Sequence, residues 1–308
     1  MKAVAIQGFN TDPVLMDVPP PRPGEGEVLV DVQFASINGM DAMTWAGVIE
    51  GMMPYVLPIT LGRDFSGTVA AVGAGVTDIA VGDAVFGMTL SMPLHDGTFA
   101  EQVAVSATGL ARRPEQLDPK SAGALGLAGT AAKLGVDAVD PAAGRSVLVV
   151  GATGGVGAIA IQLAKARGAV VVATARPEEV GFVRDLGADH TVDYRGDLTG
   201  AVRRLYPGGV DGVLHAAGDP AAVADLLAPG GRWASTLGVG ADRLDRRDVQ
   251  AAAVMAVPNG QILAGLAAAV TGGDLRVPIS KTYPIEQIAA ALKDFTSGSR
   301  GKIAVAVR

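Results

Sequence analysis

Val147-Leu-Val-Val-Gly151-Ala-Thr-Gly154-Gly155-Val-Gly157 is the stretch on which the reading of this chain turns. A short apolar run, 146–150, ends in glycines. Residues 157–167 then carry Ile159, Ile161, Leu163 and Ala164 at helical spacing. A strand that passes through a glycine turn into a helix brings backbone N–H groups and a helix N-terminus to one point, where the dipole favours an anion. A second apolar run, 169–174, completes a βαβ unit, the context in which such a turn is specific for a dinucleotide pyrophosphate. Thr153, Gly154, Gly155 and Val156 are the expected phosphate contacts, since a Cβ at Gly154 or Gly155 would hold the phosphates away.

The second strand selects the cofactor. A site for NAD places an acidic residue near the end of that strand, about 20 residues on, to hold the ribose 2′-OH. Here the strand ends Ala173-Thr174-Ala175-Arg176 with no carboxylate at its tip. Arg176 suits a 2′-phosphate, which favours NADPH over NADH. Glu178 and Glu179 follow and weaken that preference, although a helix N-terminus attracts carboxylates in any case.

Outward from this centre the texture divides. Residues 1–105 hold short β-branched runs (2–6, 28–34, 67–72, 84–87, 97–105) separated by Pro, Gly and Asp. The proline-rich stretch 18–27 is a stiff connection that cannot lie inside a paired strand. From about residue 121 strand and helix patterns alternate, with strands at 191–194, 210–216 and 232–237 and helices at 177–186, 197–205 and 221–227. Apolar strands in such alternation predict a parallel sheet covered on both faces. After residue 273 the pattern is β-like again, with a helix over 285–295 and a last strand over 302–307. The expected fold class is α/β: a β-rich domain made of 1–120 and 274–308, with a doubly wound domain, 121–273, inserted between its halves. The apolar stretch 251–270 is broken by Pro258, Asn259 and Gly260 and is expected as a buried helix pair, not a membrane span.

Composition removes several classes of function. Lys and Arg number 25 against 31 Asp and Glu, a net charge of −6 that lacks the basic footprint of a nucleic-acid binder. There is no cysteine, so disulfides, iron–sulfur clusters and thiolate zinc sites are excluded. The 42 glycines have no period of three and no tract, which excludes collagen-like and low-complexity chains. No secretory pattern is visible in Met1-Lys-Ala-Val-Ala-Ile-Gln-Gly, and a cytoplasmic location is expected.

An ordered set of segments carries a resemblance over nearly the whole chain: Ser36-Ile-Asn38-Gly-Met-Asp41, Leu61-Gly-Arg-Asp-Phe-Ser-Gly-Thr-Val69, Val81-Gly-Asp-Ala-Val-Phe-Gly87, Ala152-Thr-Gly-Gly-Val-Gly157, Leu186-Gly-Ala-Asp189 and Gly301-Lys-Ile303. The chain resembles the zinc-free quinone oxidoreductase branch of the medium-chain dehydrogenase/reductase superfamily. The resemblance implies a GroES-like catalytic domain, a Rossmann NADP(H)-binding domain and a homodimer. Zinc enzymes of that superfamily carry a Cys near the place of Asn38 and a His where this chain has Arg63. Neither is present, and zinc needs at least three protein ligands. Without a Lewis acid the acceptor should already be electron-poor: a small hydrophobic quinone, or alternatively the C=C bond of an enone or enoyl-thioester. A reading of another class is an NADPH-binding redox sensor with little turnover.

By the same resemblance Asn38 lies beside the nicotinamide and Tyr55 is a candidate proton donor; these two are the catalytic candidates. Thr130 faces the nicotinamide and Tyr194 lies near the adenosine phosphate. Lys302, which follows a glycine near the C-terminus, is a candidate charge contact to the cofactor. Leu237 and Gly238 belong near the cofactor because ligands sit outside the carboxyl ends of parallel strands. His215, in a buried strand, is expected to be a satisfied core-edge histidine.

Overall fold

The computed structural model describes all residues, 1–308. Chain contacts divide them into two compact units. The first comprises Met1–Thr130, Val257–Gly273 and Val277–Arg308, and the second Ala131–Ala256 with Asp274–Arg276. The segment 257–273 therefore keeps company with the first unit.

The first unit is built on a seven-stranded sheet. Strand Glu27–Ser36 lies at its heart and pairs antiparallel with Asp64–Val72, Gln102–Ser106 and Lys302–Ala306. Its alternating burial reflects the period of two that lets one face pack and the other meet water. Val28, Val30 and Val32 pack on Phe65, Val69 and Val85. A second cluster joins Ile37, Leu61 and Phe99 to Leu292 and Ile303 near the C-terminus. Strand Lys302–Ala306 runs parallel to Ile279–Pro284, which the intervening helix Ile288–Thr296 allows. This register sets Ala304 opposite Ser36 and Ser36 opposite Asp64, so three distant stretches of sequence meet in one row across the middle of the sheet.

The second unit is a six-stranded, wholly parallel sheet. Its strands are ordered His190–Val192, Val170–Thr174, Ser146–Val150, Val210–His215, Leu227–Ser235, Gln250–Ala253. Counted along the chain within the unit, that order is 3-2-1-4-5-6, the doubly wound arrangement. It reverses between Ser146–Val150 and Val210–His215, which puts the glycine turn at the switch point. Every residue of Ser146–Val150 is buried, as expected of a strand covered on both faces.

One expectation changes. The first part of the apolar stretch 251–270 is not helical: Gln250–Ala253 is an edge strand, and the helix begins only at Gly260, capped by the Asn259 side chain. Alanine has little β preference by itself, and pairing to Trp233–Ser235 decides the outcome. The helix Gly126–Val139, which no pattern in the sequence singled out, is the longest in the chain.

Candidate functional site

The turn after Ser146–Val150 has the geometry its composition implies. Gly151 takes φ of +81°, where only glycine is unstrained, and its N–H donates to Thr174 Oγ1 at 3.1 Å from the end of the neighbouring strand. Gly157 is required by close approach, since a Cβ there would lie 2.3 Å from the Gly151 carbonyl oxygen. Gly154 differs. Its φ of −76° and ψ of 175° suit any residue, and a Cβ would meet nothing nearer than the same oxygen at 3.5 Å. Nothing in the protein forbids a side chain at Gly154. No side chain caps the helix Gly155–Ala166 that it introduces, so the first-turn N–H groups are left for a ligand. A pyrophosphate fits this cradle, and a Cβ at Gly154 would occupy part of it.

At the end of the second strand Arg176 is already engaged. Its Nη2 donates to Glu179 Oε1 at 2.6 Å, and its Nη1 lies 3.2 Å from Glu178 Oε1. Glu179, buried, also accepts the Arg176 backbone N–H at 3.0 Å. Hydrogen bonding to Glu179 raises the guanidinium pKa further, so Arg176 is held charged and oriented. Tyr194 is exposed.

At the exits of the fourth and fifth strands the side chains are fixed by His215. Its Nε2–H donates to the Gly218 carbonyl (3.1 Å) and its Nδ1 accepts from Ser235 Oγ (3.0 Å), while Ser235 Oγ in turn accepts the Leu237 N–H. The ring stacks on Trp233 at 5.0 Å, and burial lowers its pKa, so it stays neutral. Both ring nitrogens are used, and the histidine shapes the turn that carries Leu237 and Gly238 without facing solvent.

In the first unit the structure assembles a buried polar network. Asp64, fully covered, accepts from Ser36 Oγ (2.6 Å), Asn38 Nδ2 (2.9 Å), the Leu127 N–H (2.6 Å) and Lys302 Nζ (3.3 Å). Lys302 also donates to the Ile37 carbonyl at 3.0 Å and to Asn38 Oδ1. All three ammonium hydrogens thus have acceptors inside the protein. Lys302 is 3% exposed, and its donors are directed at these three acceptors. The Asn38 amide is nearly as fully engaged: its second hydrogen goes to the Ser36 carbonyl at 3.3 Å, leaving one lone pair on Oδ1. Sequence reading assigned no task to Asp64, whose only signal was an ionisable residue opening a buried strand.

Asp41 is buried too, accepting from the Asn38 N–H (2.8 Å) and the Gly62 N–H (2.9 Å). Burial pushes its carboxyl up to about 6, against the pull of the Arg63 charge and these two donors. The folded chain therefore binds this proton more tightly than the unfolded chain. Its contribution to stability is full below about pH 4 and is lost as the pH rises to about 6, a change of about 3 kcal/mol. Thermal melts from pH 4 to 7 should show a decline in wild type that Asp41→Asn flattens; parallel profiles would assign the decline to another group.

Tyr55 is half-buried, its ring edge-on to Phe9 at 4.9 Å. Thr130 is fully buried, and its Oγ1 has no hydrogen-bond partner, although a helical threonine ordinarily bonds back to its own helix. No group of three or more His, Cys, Asp or Glu is placed to hold a metal ion, and no helix is long and apolar enough to cross a membrane.

Two family models match the chain: the alcohol dehydrogenase GroES-like domain over residues 24–115 and a family described as zinc-binding dehydrogenase over residues 186–305. A solved alcohol dehydrogenase superfamily protein from Novosphingobium aromaticivorans is 34% identical with a TM-score of 0.89, each chain covered in full. The quinone oxidoreductase of Coxiella burnetii has a TM-score of 0.90 at 28% identity, covering 100% of this chain and 99% of its own. Mycobacterial Rv1454c, solved in complex with NADPH, has a TM-score of 0.88 at 28% identity, with both chains fully covered. Among curated proteins, the chloroplast envelope quinone oxidoreductase homolog of Arabidopsis thaliana is 28% identical over 94% of this chain and 92% of its own. A mycocerosic acid synthase-like polyketide synthase of Mycobacterium tuberculosis is 33% identical over 68% of this chain, which spans only 10% of that protein's length. The wholly parallel sheet, its glycine turn and these full-length likenesses converge: the chain belongs to the medium-chain dehydrogenase/reductase superfamily, in its quinone oxidoreductase branch.

Proposed function

We propose that the protein is an NADPH-dependent oxidoreductase that passes hydride to a quinone or a similarly electron-poor acceptor without zinc. The observation that carries this reading is Gly154: a glycine whose backbone angles and surroundings would admit a side chain, at an uncapped helix N-terminus on the switch point of a parallel sheet. When bound, NADPH supplies the hydride, which with one proton from solvent converts a quinone to its hydroquinone. Thr153, Gly155 and Val156 complete the phosphate cradle with Gly154, Arg176 and Tyr194 take the 2′-phosphate end, and Leu237 and Gly238 border the dinucleotide at the strand exits. Thr130, whose buried hydroxyl has no partner within the protein, is assigned to the nicotinamide amide. Tyr55 carries a hydroxyl suited to proton donation. With no cysteine and three histidines, the chain lacks the donor set of a catalytic zinc. An acceptor that delocalises its own charge needs no such metal.

Fluorescence titration with NADPH and NADH, followed by oxidation of bound NADPH with 1,4-benzoquinone and with a simple enone, tests the reading. NADPH preference that collapses in Arg176→Ala, with turnover on either acceptor, is the expected result. The faster acceptor decides between quinone and C=C reduction. Tight binding without turnover would favour the redox sensor, and no binding of either cofactor would end the reading.

The carboxylates around Arg176 add a prediction. Glu178 lies within ion-pair distance of Arg176 and its side chain is 61% exposed, so it competes with an incoming 2′-phosphate and repels it. Glu178→Gln should tighten NADPH several-fold and leave NADH almost unchanged. An equal effect on both cofactors would show that Glu178 acts on the dinucleotide generally and not on the 2′ position.

A further inference from the structure

Arg63 is the most anomalous side chain in the protein. It is 0% exposed, and none of Nε, Nη1 and Nη2 has a hydrogen-bond partner. The other guanidiniums with an orphaned atom are satisfied elsewhere: Arg113 donates to the Leu117 carbonyl at 2.6 Å and Arg176 to Glu179. A guanidinium has five N–H donors, and burying all of them without acceptors is a cost that folded proteins rarely accept without a function. The charge that bears on it is Asp41, which acts through space and makes no ion pair with it within 4.0 Å. Neighbouring backbone is held firmly: the Thr89 N–H donates to the Arg63 carbonyl at 2.8 Å, and the Gly62 N–H to Asp41 at 2.9 Å. A second orphan lies on the segment whose backbone bonds to Gly62. Thr98, whose N–H donates to the Gly62 carbonyl at 3.1 Å, is also fully buried with its Oγ1 unpartnered.

We propose that the Arg63 guanidinium is the donor that meets an acceptor oxygen as it gains negative charge, namely the carbonyl oxygen of the quinone or enone as hydride is delivered. The proposal rests on the reductase reading above and names the group that stabilises its charge. Fixed donors in a dry environment stabilise developing charge far better than donors in water, because they need not reorganise during the reaction. Full burial means that the acceptor enters only when the covering segments part, and that water is excluded once it is bound. Any small oxyanion presents the same chemistry, so nitrate serves as a probe independent of turnover.

The experiment compares wild type with Arg63→Met and Arg63→Lys, each checked for folding by circular dichroism. In Arg63→Met the Kd for NADPH should stay within about twofold. The kcat/KM for 1,4-benzoquinone should fall by about 10²–10³, the loss typical of removing one such donor, and Arg63→Lys should recover part of it. Nitrate should inhibit wild type competitively with the acceptor and raise its Tm, and should do neither in Arg63→Met. A folded Arg63→Met with undiminished turnover would overturn the proposal, as would NADPH binding and turnover lost in parallel. Failure of both variants to fold would make Arg63 a structural counter-charge to Asp41 and also overturn it. If wild type reduces neither acceptor, the reductase reading fails. The nitrate arm then decides alone: a Tm shift present in wild type and absent in Arg63→Met supports the oxygen site, and no difference sinks it.

Discussion

Lys302→Met should lower the thermal midpoint by on the order of 10 °C. Lys302 is the cation of a buried cluster in which Asp64 is fully covered, and methionine matches its length while removing the charge. The substitution leaves a carboxylate in a low-dielectric interior with no counter-charge bonded to it. Breaking a buried pair in this way costs about 3–5 kcal/mol, and a unit of this size loses about 2–4 °C per kcal/mol. Asn38 would also lose the donor that holds its Oδ1, and the Ile37 carbonyl would lose its partner. The second variant in the cycle is Asp64→Asn, which keeps an oxygen for the Leu127 N–H but removes the charge. If the loss arises from the uncompensated carboxylate, adding Asp64→Asn to Lys302→Met should restore part of the stability. Strict additivity of the two single effects would show that the pair does not couple.

The second large effect separates two glycines three residues apart. Gly154→Ala should fold like wild type, with a Tm within a degree or two, yet bind NADPH at least 30-fold more weakly, a loss of about 2 kcal/mol or more. The backbone at Gly154 is extended and the added methyl meets only ordinary van der Waals contact, so the protein itself scarcely registers the change. The pyrophosphate would register it, because its bonds to the first-turn N–H groups require approach that a Cβ obstructs. Gly157→Ala should instead damage the fold: its Cβ would sit 2.3 Å from the Gly151 oxygen and 2.6 Å from Ala152 Cα, and the helix would have to lift from the strand. Thermal melts and NADPH titrations of both variants give the check. Wild-type NADPH affinity in Gly154→Ala would show that no phosphate approaches this residue.

Much of the architecture was legible in one dimension because parallel, doubly covered strands leave an uninterrupted apolar signature and glycine turns mark where they end. Ser146–Val150 and Val170–Thr174 were read almost to the residue for that reason. Gln250–Ala253 was not. Four residues, three of them alanine, carry no periodicity, and only the partner strand Leu227–Ser235 makes them extended. Arg176 was singled out from its place at a strand end, and its pairing with Glu179, three residues on, is a local contact.

The sequence by itself determined the parallel sheet and the glycine turn at its switch point, since these depend on local periodicity and local backbone freedom. Tertiary structure alone decided the task of Lys302, because the partners that use up its three hydrogens lie more than 200 residues away along the chain. It likewise decided that Asn38 is a bonded member of that network and that Arg63 is buried without a partner. Hydrogen-bond satisfaction in an interior is a property of what surrounds a group in space, and no pattern of neighbours along the chain encodes it.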